Sequence, residues 1–219
     1  MPKSFLTLLQ TKRFFIISYL VFLIFALIIV LIIPKADLFL LMNRHHNSFF
    51  DQFFKVITML GDGLTLIMIG LCLLFVKYRY SLLILLAYLY SSIIVQLLKR
   101  LFNSPRPAKF FDGINPIRTI EGYPTYEWNS FPSGHSVSAF ALAVVLVYLL
   151  PSRKSYLIIL PIALIVAFSR VYLAQHFFLD VVAGSVLGVL LTFQLIWYLE
   201  NSKWYHSPKL DGKIFGKRR

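Results

Sequence analysis

The chain is short of acid and almost without cysteine. Nine Asp and Glu stand against 22 Lys and Arg in 219 residues, a formal net charge of +13. The one cysteine, Cys72, sits inside an apolar run, so no intrachain disulfide can form and no CxxC metal pattern exists. Charge of either sign is scarce, at 14% of residues, against about 25% in a soluble globular domain. What fills the space is apolar: 58% of residues are hydrophobic and the mean hydropathy is +0.75. That composition excludes an ordinary soluble domain, and it excludes a disordered chain. The excess positive charge belongs on loops and tails, where its sidedness reports orientation.

Spanning a bilayer core takes about 20 apolar residues. Six candidate spans are present: Phe14–Ile33, Gly61–Val76, Ser81–Leu98, Gly134–Leu150, Tyr156–Leu173 and His176–Leu199. The first is too long for a signal-peptide core of about 7–15 residues and reads as an uncleaved helix. Each span must be helical, because lipid offers no partner to an unpaired backbone group. The expected fold is all-α: a polytopic membrane protein of six transmembrane helices, one domain over residues 1–219. With the N-terminus in the cytoplasm, 13 Lys and Arg fall on the inner side and nine on the outer, while seven of nine acids fall outside. Both termini are therefore read as cytoplasmic, in the inner (plasma) membrane.

Between the spans, Asn47–Phe54 alternates aromatic pairs with polar residues, as suits an interfacial helix. Lys99–Phe131 is the one long polar loop, rich in proline and aromatics, and a loop of that length is usually functional or disordered. The basic tail after Leu199 is read as lying on anionic lipid heads rather than on nucleic acid. His45 and His46 read as interfacial loop residues, His206 as a solvated tail residue, and Asp62, between Gly61 and Gly63, as a helix-start cap.

In that topology three polar segments reach the same outer interface. Lys99 and Arg106 follow the third span, Ser133-Gly134-His135 opens the fourth, and Arg170, His176 and Asp180 join the fifth to the sixth. Lys99, Arg106 and Arg170 together make a site for a polyanion, guanidinium groups giving bidentate bonds to phosphate oxygens. Ser133 and Gly134 precede a helix, whose free N–H groups favour an anion, and Gly134 leaves room for close approach. His176 and Asp180 are spaced i, i+4, expected to share a helix face. A carboxylate on one ring nitrogen leaves the other as a nucleophile, and His135 is placed to protonate a leaving oxygen. This is the chemistry of phosphoryl transfer with side-chain cations in place of a metal, and no cofactor is expected.

Lys99-x6-Arg106-Pro107, Pro132-Ser133-Gly134-His135 and Ser169-Arg170-x5-His176-x3-Asp180 resemble the three signature motifs of the type 2 phosphatidic acid phosphatase (PAP2) superfamily, matching all eleven defined positions across residues 99–180. The superfamily holds membrane lipid phosphatases, soluble acid phosphatases and vanadium haloperoxidases, and the six-span pattern is similar to the membrane branch. The resemblance implies a phosphohistidine at His176 oriented by Asp180, His135 as the acid, and phosphate held by Lys99, Arg106, Ser133, Gly134 and Arg170. The expected activity is hydrolysis of a lipid phosphate or diphosphate on the periplasmic or extracellular side, undecaprenyl diphosphate first, with phosphatidylglycerophosphate, phosphatidic acid or a lipid A phosphate as alternatives. A non-catalytic phospholipid-binding or transport protein is the alternative of another class.

Overall fold

The computed structural model describes residues 4–150, 152 and 154–215. Lys3, Arg153, Lys217, Arg218 and Arg219, all counted above on the inner side, lie outside them. The described residues hold helices and no strand: α1 (Phe5–Thr11), α2 (Arg13–Ile32), α3 (Lys35–Arg44), α4 (Ser48–Ile57), α5 (Gly63–Leu73), α6 (Tyr78–Phe102), α7 (Pro107–Phe110), α8 (Gly134–Leu149), α9 (Tyr156–Tyr172) and α10 (Phe178–Glu200). Single 3₁₀ turns cover Thr58–Gly61, Lys203–His206 and Pro208–Asp211. By length and composition, α2, α10 and the stretch Tyr78–Phe110 can cross a membrane. The α4–α5 pair, bent by 55°, qualifies as a broken span, and α8 and α9 are shorter apolar helices.

α8 is the centre of the bundle. It is buried along its length, with α6, α9 and α10 packed around it. Its sequence explains this, since Ala, Val, Ser and Phe on every face leave no polar side to turn outward. α10 approaches α8 closely through Gly184 and Gly188. A Cβ at Gly184 would stand 2.6 Å from the Ser133 carbonyl oxygen, and one at Gly188 2.6 Å from that of Val137. Two glycines four residues apart on one face let two helix backbones meet, and where lipid removes the hydrophobic drive such packing carries the association. The contact starts at the residue that begins α8, so it sets the distance between the two helix ends that carry motif residues.

Three assignments shift. α5 covers only Gly63–Leu73 of the expected Gly61–Val76 and qualifies as a span only together with α4. α6 runs four residues past the expected Leu98, to Phe102, and ends on Asn103 at φ +39°, a left-handed position that asparagine tolerates. α10 begins at Phe178, not His176, because Asp180 sits at its third position and accepts the backbone N–H of Phe177 at 3.0 Å, one half of a capping box. His176 is therefore outside the helix, and the expectation of a shared helix face with Asp180 is wrong.

The tail also has partners within the fold. Residues 203–215 dock on the α5–α6 hairpin. Asp211 pairs with Lys77 at 2.7 Å and Arg79 at 3.1 Å, Tyr78 N–H donates to Gly212 and Ile214 N–H to Leu74. Tyr205 is buried, with the Arg79 guanidinium 5.5 Å from its ring centre. A carboxylate within a largely basic tail supplies the partner that the charge count hides.

Candidate active site

The motif residues meet at one end of the bundle, on the C-termini of α6 and α9 and the N-termini of α8 and α10. Lys99, Arg170, His176 and Asp180 are 8%, 4%, 2% and 5% exposed, a depth at which charges need specific partners. Lys99 Nζ donates to the Asn129 carbonyl at 2.6 Å. Arg106 Nε donates to the Trp128 carbonyl at 2.9 Å and its Nη1 to the Gln175 side-chain oxygen at 3.2 Å, with the guanidinium over the Tyr126 ring. Arg170 Nη1 donates to Thr58 Oγ1 at 2.9 Å and to the Tyr123 hydroxyl at 2.8 Å, while its Nε is buried without a hydrogen-bond partner. Every one of these acceptors is neutral. Among the described residues none of the three cations is paired with a carboxylate, so their charge is not cancelled.

Local chain geometry places His176. α9 closes in a Schellman turn: Gln175 N–H donates to the Arg170 carbonyl at 2.9 Å and Ala174 N–H to that of Val171 at 3.0 Å, with Ala174 at φ +55°. His176 N–H also donates to the Arg170 carbonyl, at 3.2 Å. Phe177 then wedges its ring between Phe39 and Phe110, 5.6 and 5.3 Å away, under the Lys35 ammonium. One five-residue linker thus carries His176, fixes it at both sides, and presents Gln175 to Arg106. Burial first, then the positive charges of Arg106, Arg170 and Lys99, hold the imidazole on this linker well below its ordinary pKa, in the neutral form.

His176 Nδ1 lies 3.7 Å from Asp180 Oδ2, long for a hydrogen bond, and 3.4 Å from Ser130 Oγ. Ser130 Oγ in turn donates to Asp180 Oδ2 at 2.6 Å. The serine bridges the pair. Ser133 caps α8 through its side chain, accepting from Ser136 N–H, and its own N–H donates to the Asp180 carbonyl at 3.0 Å. Gly134 leaves open space with Lys99 Cε beyond it, 3.9 Å from where a Cβ would stand. His135 is partly exposed at the mouth, its Nε2 3.7 Å from Asp62 Oδ2. All eight expected site residues are therefore joined by one set of contacts and overlapping charges.

Reading the sequence missed Ser130, Gln175, Tyr123 and Thr58. None stands in a spacing that marks it; each is found by where the chain folds back. The long loop does the folding. The Arg118 guanidinium grips Asp51 with bonds of 3.1 and 2.6 Å, Asp51 also accepts from the Tyr172 hydroxyl, and Asn43 pairs with the Arg118 backbone in both directions. These bonds pin the loop to α3 and α4 and so deliver Tyr123 to Arg170.

Known proteins share this arrangement. The description "PAP2 superfamily" matches residues 80–204, more than half of the chain. The lipid A 4'-phosphatase of Porphyromonas gingivalis is 26% identical over 179 residues, covering 78% of this chain and 75% of that protein. The undecaprenyl-diphosphatase of Sulfolobus acidocaldarius is 28% identical over 190 residues, covering 83% and 89%. The crystal structure of a transmembrane PAP2-type phosphatidylglycerolphosphate phosphatase from Bacillus subtilis superposes with a TM-score of 0.63 at 29% identity, covering 86% of this chain and 97% of that one. The matched stretch contains all three motifs, and the helices that carry them bring them to one end of an all-helical bundle, which makes this chain a member of the PAP2 superfamily.

Proposed function

We propose that this protein is an integral-membrane phosphatase that hydrolyses the phosphate or diphosphate ester of a lipid through a phosphohistidine, without a metal. The observation that carries the reading is the set of three cations, Lys99 and Arg170 buried and Arg106 half-buried, held by neutral acceptors and left for a phosphate group to meet. The unpartnered Arg170 Nε supports it, since a buried donor without a partner costs roughly 1–3 kcal/mol and a phosphate oxygen supplies the acceptor.

The chemistry follows from the ring geometry. Nδ1 of His176 faces Ser130 and Asp180, so its Nε2 carries the free lone pair. Nε2 attacks phosphorus, the P–O bond to the lipid breaks, and His135 gives its proton to the departing oxygen. Water then attacks the phosphohistidine and returns a proton to His135; inorganic phosphate leaves. Lys99, Arg106, Arg170 and the N–H groups that open α8 at Ser133 and Gly134 stabilise charge on the equatorial oxygens throughout. In this reading the chain is one domain of six spans, α8 and α9 included, with both termini cytoplasmic and the site at the outer face. Undecaprenyl diphosphate is the proposed substrate, supported by the Sulfolobus relative's coverage; phosphatidylglycerophosphate, phosphatidic acid and lipid A phosphates are the competing ones.

Phosphate release from a panel of these four lipids, in detergent with EDTA, tests the reading. The expected result is turnover of at least one lipid with EDTA present, and a folded His176→Ala variant with none. Binding of lipid phosphates without release by folded wild-type protein would overturn the enzyme reading, and activity that chelation abolishes would overturn the metal-free mechanism.

A further inference from the structure

The segment Gly61-Asp62-Gly63 lies outside the three motifs, yet it is built against the site. Gly61 packs on the start of α8: a Cβ there would stand 2.8 Å from the His135 carbonyl oxygen and 2.8 Å from Val166 Cγ1. Gly63 packs on α6, where a Cβ would stand 2.0 Å from the Tyr88 hydroxyl. Neither position accepts a side chain without a shift, and the two close approaches hold the residue between them against the mouth of the site. Asp62 divides its carboxylate. Oδ1 accepts the Leu64 N–H at 2.8 Å and caps α5, while Oδ2 faces His135 Nε2 at 3.7 Å. The cap accounts for one oxygen and leaves the other free to act on the histidine.

His135 needs such a neighbour. Lys99 from α6, Arg106 from the loop, Arg170 from α9 and His176 from the linker surround it with positive or potentially positive groups, and Asp62 is the carboxylate that faces its ring. We propose that Asp62 is a positioning residue for the reaction: it orients the His135 imidazole and stabilises its protonated form, so that a proton is in place when the leaving oxygen departs. This rests on His135 being the acid of the proposed function. The 3.7 Å separation is a contact that tightens once substrate is bound, as such pairs commonly do. The proton balance is unchanged. Asp62 neither gains nor loses a proton in the cycle; it lowers the energy of the imidazolium that gives one up.

Asp62→Asn separates the two functions of the carboxylate, because asparagine caps a helix as well as aspartate does but carries no charge. The measurement is kcat/KM against pH for the best lipid of the panel, with 4-nitrophenyl phosphate as a substrate whose leaving group needs no acid. Asp62→Asn is expected to lose about tenfold on the lipid, part of the general-acid contribution of about 10²–10⁴, and to move the alkaline limb about one unit to lower pH. Hydrolysis of 4-nitrophenyl phosphate should stay within about twofold. An Asp62→Asn profile and substrate ratio equal to wild type would overturn the inference, leaving Asp62 a cap and nothing more. His135→Ala separates the two readings. If it erases the alkaline limb while Asp62→Asn does not move it, this inference alone falls; if the limb persists without His135, the acid assignment falls and takes the inference with it.

Discussion

The two ends of the bundle hold their cations in opposite ways. At the end where the tail docks, Lys77 and Arg79 are partly exposed and both meet Asp211 directly. At the site end Lys99 and Arg170 are buried and Arg106 is half-buried, yet all three lean on carbonyls, an amide and hydroxyls. Burial without neutralisation is the more costly choice, since an unpaired buried charge loses its hydration. The difference separates a charge that fastens from a charge that waits for a partner. Arg118 makes the same point within the site end: it fastens the loop, and it is matched to Asp51.

Breaking the contrast deliberately should have the largest effect at Gln175. Gln175→Glu places a carboxylate where Arg106 now finds a neutral oxygen, turning a site cation into a pair of the kind Asp211 makes. The substitution also removes the amide donor to the Pro124 and Leu173 carbonyls. Turnover is expected to fall on the order of a hundredfold, as when one transition-state donor is removed, with weaker inhibition by vanadate; wild-type inhibition would break the comparison. Gly184→Ala comes next. Its Cβ would meet the Ser133 carbonyl, so α10 must shift, at about 1–3 kcal/mol. Thermal unfolding in detergent reads the loss, and a Gly188→Ala variant should show a similar one.

The smallest effect belongs to the end where the tail docks. Asp211→Asn should leave kcat/KM unchanged and lower the melting temperature slightly. The pH dependence has a definite sign. The Lys77 hydrogen bond and the Arg79 charge hold the Asp211 carboxyl below its ordinary range. The clasp's contribution is therefore present above about pH 4, the unfolded carboxyl's value, and lost as pH falls through the lower folded value. A melting temperature that drops equally in wild type and Asp211→Asn below that pH would remove Asp211 as the cause.

The motif positions were legible because phosphoryl transfer demands residue types that membrane helices otherwise avoid. Lys99, Arg106, His135, Arg170, His176 and Asp180 are conspicuous among apolar neighbours, and the helices that carry or flank them bring them to one end of the bundle. Helix lengths were less legible: α6 covers Tyr78–Phe102 against the expected Ser81–Leu98, and α5 covers Gly63–Leu73 against Gly61–Val76. What stayed hidden was whatever depends on the chain returning to itself. Ser130 is one serine among many until the loop brings its hydroxyl to Asp180. The start of α10 moved because a cap outweighed periodicity, and the tail docked because one carboxylate found two cations. Gly184 and Gly188 look like ordinary glycines in an apolar run, and only the neighbouring carbonyls show why no larger residue fits.

The contact between Ser133 N–H and the Asp180 carbonyl has a consequence for how the protein is made. Synthesis runs from N to C, so Lys99, Arg106 and Arg170 all leave the ribosome before α10. Until that helix arrives, Ser133, the cap of α8, lacks its backbone acceptor and Ser130 lacks the Asp180 carboxylate. Packing of α10 on α8 therefore completes the site. Truncation before Phe178 should leave an exposed basic end prone to proteolysis, while truncation within the tail should not.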